Sequence, residues 1–128
     1  MEKYELGLKK KSFSLFYNGG EIWCEHLDSL YDKTELLKQK FKQDLEHIDK
    51  PSASSFLAVV LNDSNVEKEM LEQIVDQFSG LNKQLQKVAF IGLNASLKRY
   101  IKKRNADTTF PMICMDDLEK AKDWLVSK

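Results

Sequence analysis

Three short apolar runs, at residues 56–61, 88–93 and 110–115, most constrain what this chain can fold into. Each is continuously apolar, short, and bounded by turn-forming residues. That pattern suits a strand buried on both faces, as in a parallel sheet. Helical spacing fills the gaps between them. Val66, Met70, Ile74, Phe78 and Leu81 form one stripe, and Leu97, Tyr100 and Ile101 mark a shorter one. Strand and helix in alternation predict parallel neighbours joined by right-handed crossovers. Pro111 lacks an N–H and fits best near the start of the third run.

The segment before these runs reads as a hairpin. Phe13, Leu15 and Tyr17 alternate with Ser14 and Phe16, and Asn18-Gly19-Gly20 follows, a strong turn signal. With Asn18-Gly19 as the loop, Leu15 faces Ile22 and Phe13 faces Cys24; Gly19-Gly20 as the loop shifts the pairing but keeps the same parity of faces. Phe16 and Trp23 then lie on the other face, so the hairpin is expected to be covered on both sides. Residues 32–48 read as a helix through Leu37, Phe41, Leu45 and Ile48, ended by a loop containing Pro51. Leu118, Ala121 and Leu125 line a final helix. Asp32-Lys33-Thr34-Glu35, Ser64-Asn65-Val66-Glu67 and Asp116-Asp117-Leu118-Glu119 each have the form of a capping box. The fold class is therefore α/β: a mixed, mostly parallel sheet of about five strands with about four helices, mostly packed on one side, and an N-terminal β-hairpin.

The chain has 128 residues, which fits one domain over 1–128 with a real hydrophobic core. Acidic and basic residues balance at 20 each, so no global charge favours nucleic acid or an anionic membrane. No apolar run approaches the length of a membrane span. Met1-Glu2-Lys3-Tyr4 leads into charge rather than an apolar leader, so a cytoplasmic location is expected. Cys24 and Cys114 are far apart, each within an apolar stretch, and read as free thiols.

The last third of the chain carries a family resemblance. The segments KVAFIGLNASLKRYIKK and FPMICMDDLEKAKDWLVSK, the latter with Glu119-Lys120-Ala121 and Trp124-Leu125, resemble the closing strands and helices of STAS domains (sulfate transporter and anti-sigma-factor antagonist) of the SpoIIAA-like branch. The order of elements resembles that family over nearly the whole chain. The resemblance implies a bacterial protein-interaction and regulatory module. Anti-sigma-factor antagonists of the family carry an Asp-Ser pair near the start of a helix, phosphorylated by a partner kinase. Asp63-Ser64 falls close to that position, with Asn65-Val66 in place of the family's Ser-Gly. Some relatives of the fold bind lipids or other small apolar ligands.

Site candidates follow from both arguments. In open α/β sheets, ligands gather outside the carboxyl ends of the parallel strands. Asn62, Asp63, Ser64 and Asn65 lie there as an interaction rim, with Ser64 a candidate phosphoacceptor. As the first residue of a Ser-x-x-Glu box, Ser64 is explained first as a cap worth about 1 kcal/mol, and the two roles can coexist. Asn94, Ser96, Lys98 and Arg99 form a second rim suited to an anionic ligand. The basic face continues through Lys102, Lys103 and Arg104, which also suits a solvated helix end. Cys24 and His26 share a strand face without a further cluster to complete a metal site. His47 reads as a surface residue. No catalytic motif stands out, and neither a cofactor nor a metal is expected. The expectation is a regulatory module that binds another protein, a regulator or kinase-like partner. The alternative is a binding domain for a small apolar or anionic ligand, without catalysis.

Overall fold

Residues 11–127, described in a computed structural model, place all three apolar runs in one five-stranded sheet. Strands β1 (Phe13–Tyr17) and β2 (Gly20–His26) form the antiparallel hairpin. Asn18 and Gly19 turn it with φ of 49° and 89°, both left-handed as a type I′ loop requires. The register is the expected one, Phe13 opposite Cys24 and Leu15 opposite Ile22. Strands β3 (Phe56–Val60), β4 (Lys87–Ile91) and β5 (Met112–Met115) follow, and β2 to β5 are mutually parallel. The spatial order is β1-β2-β3-β4-β5. Pro111 sits just before β5, where its carbonyl accepts from Val88 N–H (3.1 Å).

Helices α1 (Thr34–Ile48), α2 (Lys68–Ser79) and α3 (Ala95–Arg104) are the crossovers, and α4 (Leu118–Val126) closes the chain. The fold is thus α/β with a mixed, mostly parallel sheet and an N-terminal hairpin. Because strand order follows chain order, right-handed crossovers put α1, α2 and α3 on one face. There Trp23, Leu57, Val59, Val88 and Phe90 meet Phe41, Ile74, Phe78 and Ile101 in the larger core cluster. The opposite face presents Ile22, Cys24, Ala58, Val60, Ala89 and Ile91 to Ala121 and Leu125 of α4. Approach here is close: a Cβ on Gly20 would stand 2.8 Å from Val126 Cγ1. Among the described residues no helix is long and apolar enough to cross a membrane.

Two local expectations are corrected. The hairpin is not covered on both sides, because Trp23 is buried while Phe16 is 83% exposed. β1 is the sheet edge, and the helix layer does not extend over Phe16. The expected capping boxes do not form either. Lys33 and Glu67 occupy the N-cap positions of α1 and α2, and neither makes a side-chain cap hydrogen bond. The segments around Asp32 and Ser64 are instead engaged in pairing between the two preceding loops. Tyr31 N–H donates to Asp63 O (2.9 Å), and Asn65 N–H donates to Tyr31 O (2.8 Å). At α4 the cap moves by one residue: Asp117, not Asp116, accepts from Glu119 N–H (2.9 Å).

Candidate functional site

Parallel pairing of β2 to β5 brings the carboxyl ends of four strands to one rim. The loops leaving β2 and β3 run together there as an irregular continuation of the sheet. Leu27 N–H donates to Val60 O (2.9 Å), and Ser29 N–H donates to Asn62 O (2.8 Å). Past them, Tyr31 and Ser64 form an isolated parallel bridge. Three residues in this short zipper have left-handed backbones although none is glycine: Ser29 (φ 61°), Tyr31 (φ 49°) and Asp63 (φ 58°). Such conformations cost about 1–3 kcal/mol each and persist only where neighbours hold them. Here the backbone hydrogen bonds and Ser64 do so.

Ser64 is half-buried, and its hydroxyl is engaged twice. It donates to Leu27 O and accepts from Leu30 N–H (3.1 Å). Ser64 therefore ties the β2 loop to the β3 loop rather than capping α2. A phosphate on Ser64 would have to release both bonds. Asn62, Asp63 and Asn65 are exposed, and Asn65 Nδ2 donates to Asp32 Oδ1 (3.3 Å). Tyr31 stands beside them, 63% exposed. Gly92 draws the end of β4 against the same rim. Its φ is 93°, and a Cβ there would come within 2.8 Å of the Asn62 backbone nitrogen.

The second candidate rim is only partly assembled. Asn94 Oδ1 accepts from Leu97 N–H (2.9 Å), so this side chain caps α3. Lys98 reaches Asp116 at the end of β5, 3.0 Å away, and so carries its own counter-charge. Ser96 and Arg99 are exposed. Further along the basic face, Arg104 is structural: it donates to Tyr100 Oη (2.7 Å) and to Asp76 on α2 (3.1 Å). Lys102 and Lys103 remain exposed.

A buried polar cluster that the sequence did not announce links β2 to α1. Glu25 is 0% exposed, and Trp23 Nε1–H donates to its Oε1 (2.9 Å). Among the described residues its Oε2 meets no hydrogen-bond donor, and the Asp44 carboxylate lies close by. Burial first, and the adjacent Asp44 second, push Glu25 well above the ordinary carboxyl range. Lys40, 4% exposed, pairs with Asp44 (3.1 Å) and also donates to Ser12 Oγ (2.8 Å). His47, exposed as expected, stacks on Trp23 with ring centres 4.3 Å apart.

Cys24 and His26 do share a face. Burial raises the Cys24 thiol, and His26 Nδ1 lies 2.9 Å from Asp28 Oδ1. Burial also pushes Cys114 up to about 11, so neither thiol is poised as a nucleophile. Among the described residues no group of three or more His, Cys, Asp or Glu side chains is arranged to hold a metal ion.

Between α1 and α2 runs an open groove of about 800 Å³. Phe41, Leu45, Met70 and Leu81 form its apolar floor, and Lys38, Lys42 and Glu46 stand along it. A smaller hollow of about 70 Å³ continues it towards Thr34 and Asn65, and so towards the rim. Of this site, residues 62–65 were legible from the strand-end argument. Ser29 and Tyr31 were not, because β2 read only as half of a hairpin. Its parallel pairing with β3 is what carries the loop after it to the rim. No protein-family model, curated protein or solved structure matches the chain.

Proposed function

We propose that the chain is a regulatory interaction module that binds another protein at the rim formed by Tyr31 and Asn62 to Asn65. One observation carries the reading: three non-glycine residues are held in left-handed conformations on a rim that exposes Tyr31 and Asp63. Backbone strain held by its surroundings concentrates at functional sites. A rigid exposed tyrosine is the side-chain type that anchors protein interfaces. The resemblance to SpoIIAA-like STAS domains supports the same assignment, since antagonists of the wider family are phosphorylated by a partner kinase near this segment. A kinase-like partner acting on Ser64 would have to open the two-loop tie first.

The test uses the conformation itself. Tyr31→Gly removes the side chain but suits a φ of 49°, so its stability should equal or exceed that of the parent. A photo-crosslinking residue at exposed Asn65 should trap one discrete protein in the host cell, and Tyr31→Gly should abolish the adduct. An adduct that survives Tyr31→Gly removes the rim from the interface.

The groove between α1 and α2 favours a second reading, a binder of a small apolar ligand. Its volume lies within the range of small-molecule sites. Native mass spectrometry of the chain isolated from its host separates the two. A retained small molecule without a protein partner supports the groove, and a retained subunit supports the rim.

A further inference from the structure

Among the described residues, the sheet ends on a strand without the usual protections of its own sequence. β1 (Phe-Ser-Leu-Phe-Tyr) has no charge, no proline and no bulge, and its register against β2 is unbroken from Phe13 to Tyr17. Natural edge strands are normally blunted by one of these devices, because their free N–H and C=O groups template pairing. Phe16 is 83% exposed, the most exposed large apolar side chain among the described residues, and Phe13 is 46% exposed.

The hairpin fixes which groups point outward. Tyr17 and Gly20 flank a two-residue loop and form a hydrogen-bonded pair, so Phe13, Leu15 and Tyr17 direct their backbone groups towards β2. Ser14 and Phe16 therefore direct theirs away from the sheet. On the far side of β2 the alternation is the same: Leu27 N–H goes to β3 at Val60, while His26 N–H turns towards the β1 side and donates to Ser12 Oγ.

This strand complements itself. We infer that β1 pairs antiparallel with β1 of a second copy of the chain, on a two-fold axis through Leu15, joining two sheets into one. Only this register overlaps all five residues of both strands. It sets Ser14 opposite Phe16 of the second copy, and these are the two residues with outward N–H and C=O groups. The smallest side chain of the strand faces a large one on one sheet face. On the other, Phe13 faces Tyr17, whose hydroxyl is already held by Asp123 on α4. Aromatic pairs across strands stabilise such ladders. Because the contact is isologous it closes at two copies. It is confined to one short strand on each side, so it belongs with the small, weak interfaces, with a dissociation constant on the order of micromolar.

Sedimentation velocity over a concentration series of the full chain tests this. A reversible dimer of twice 14.9 kDa is expected. Phe16→Glu places a charge on an exposed side chain, and Ser14→Pro removes an outward N–H without touching the β1–β2 ladder. Each should give a monomer with unchanged circular dichroism and melting temperature. Leu15→Cys reports the register: the two copies of residue 15 form a non-hydrogen-bonded pair, whose Cα atoms lie about 4.5 Å apart, close enough for a disulfide. Mild oxidation should crosslink Leu15→Cys, but neither the parent chain, with only Cys24 and Cys114, nor the double variant Leu15→Cys/Phe16→Glu. A parent that stays monomeric at its solubility limit overturns the inference. So does a dimer indifferent to both Phe16→Glu and Ser14→Pro, or open-ended association in place of a dimer.

Discussion

Glu25 is the residue whose chemistry departs furthest from its sequence context. Its pKa lies well above the unfolded value, raised by burial and then by Asp44, with Lys40 opposing. The folded state therefore binds a proton that the unfolded state releases above about pH 4.3. The contribution of Glu25 to stability is fully present below that pH and is lost as pH rises through the folded pKa. Glu25→Gln mimics the neutral acid, since its amide oxygen can accept from Trp23 Nε1 and no charge is left buried. Stability should match the parent near pH 4. It should exceed the parent increasingly above that, by about 1.4 kcal/mol per pH unit up to the folded pKa. Urea titrations of both chains at several pH values check this, and parallel pH profiles would show that Glu25 ionises normally.

Ser64 shows the same gap between sequence and site. A Ser-x-x-Glu pattern is sound grammar for a helix start, but it assumes that the helix begins at once. Here α2 starts only at Lys68, and the hydroxyl bridges Leu27 O and Leu30 N–H instead. Ser64→Ala strands a backbone donor and weakens its loop partner, so a loss of about 1–3 kcal/mol is expected. Hydrogen exchange separates the roles: the Leu30 amide should lose protection in Ser64→Ala, whereas a lost cap would expose the first turn of α2.

At the scale of elements the sequence was more transparent. Continuous apolar runs place β3, β4 and β5 to within a residue or two, because a strand buried on both faces has no polar positions to confuse the pattern. The parity of the hairpin faces was legible, since either Asn18-Gly19 or Gly19-Gly20 as the loop keeps it, and the structure selects Asn18-Gly19. What the elements hide is how their ends meet. Gly92 reads in sequence only as the close of a strand, yet it lies where β4 passes the backbone of Asn62, at a φ of 93°. Gly92→Ala meets both obstacles, a left-handed backbone and a Cβ 2.8 Å from backbone nitrogen. An expected loss of at least about 1–2 kcal/mol follows from the conformation alone. A chemical-denaturation midpoint shifted by less than that would mean the β4 end relaxes away from Asn62.

The whole molecule depends on an asymmetry that follows from its topology. A sheet whose strand order follows chain order gathers every crossover helix on one face, so the other face is left to α4. The stripe Leu118, Ala121, Leu125 announced a helix, but it could not say which face the helix covers. Only the order of the strands decides that. Among the described residues, helical cover on this side thus rests on nine residues, Leu118 to Val126, and on two fully buried side chains among them, Ala121 and Leu125. Leu125→Ala should cost about 2–5 kcal/mol as a buried large-to-small change. The distribution of the damage is the sharper expectation. Cys24 lies in the same cluster as Leu125, 1% exposed, whereas Trp23 points to the opposite layer. Leu125→Ala should accelerate alkylation of Cys24, followed by mass spectrometry, under conditions where Trp23 fluorescence and the far-ultraviolet spectrum stay native. That outcome means α4 undocks locally while the three-helix face holds. If Cys24 becomes reactive only as Trp23 emission shifts, the two faces unfold as one cooperative unit and α4 is no weaker than the rest.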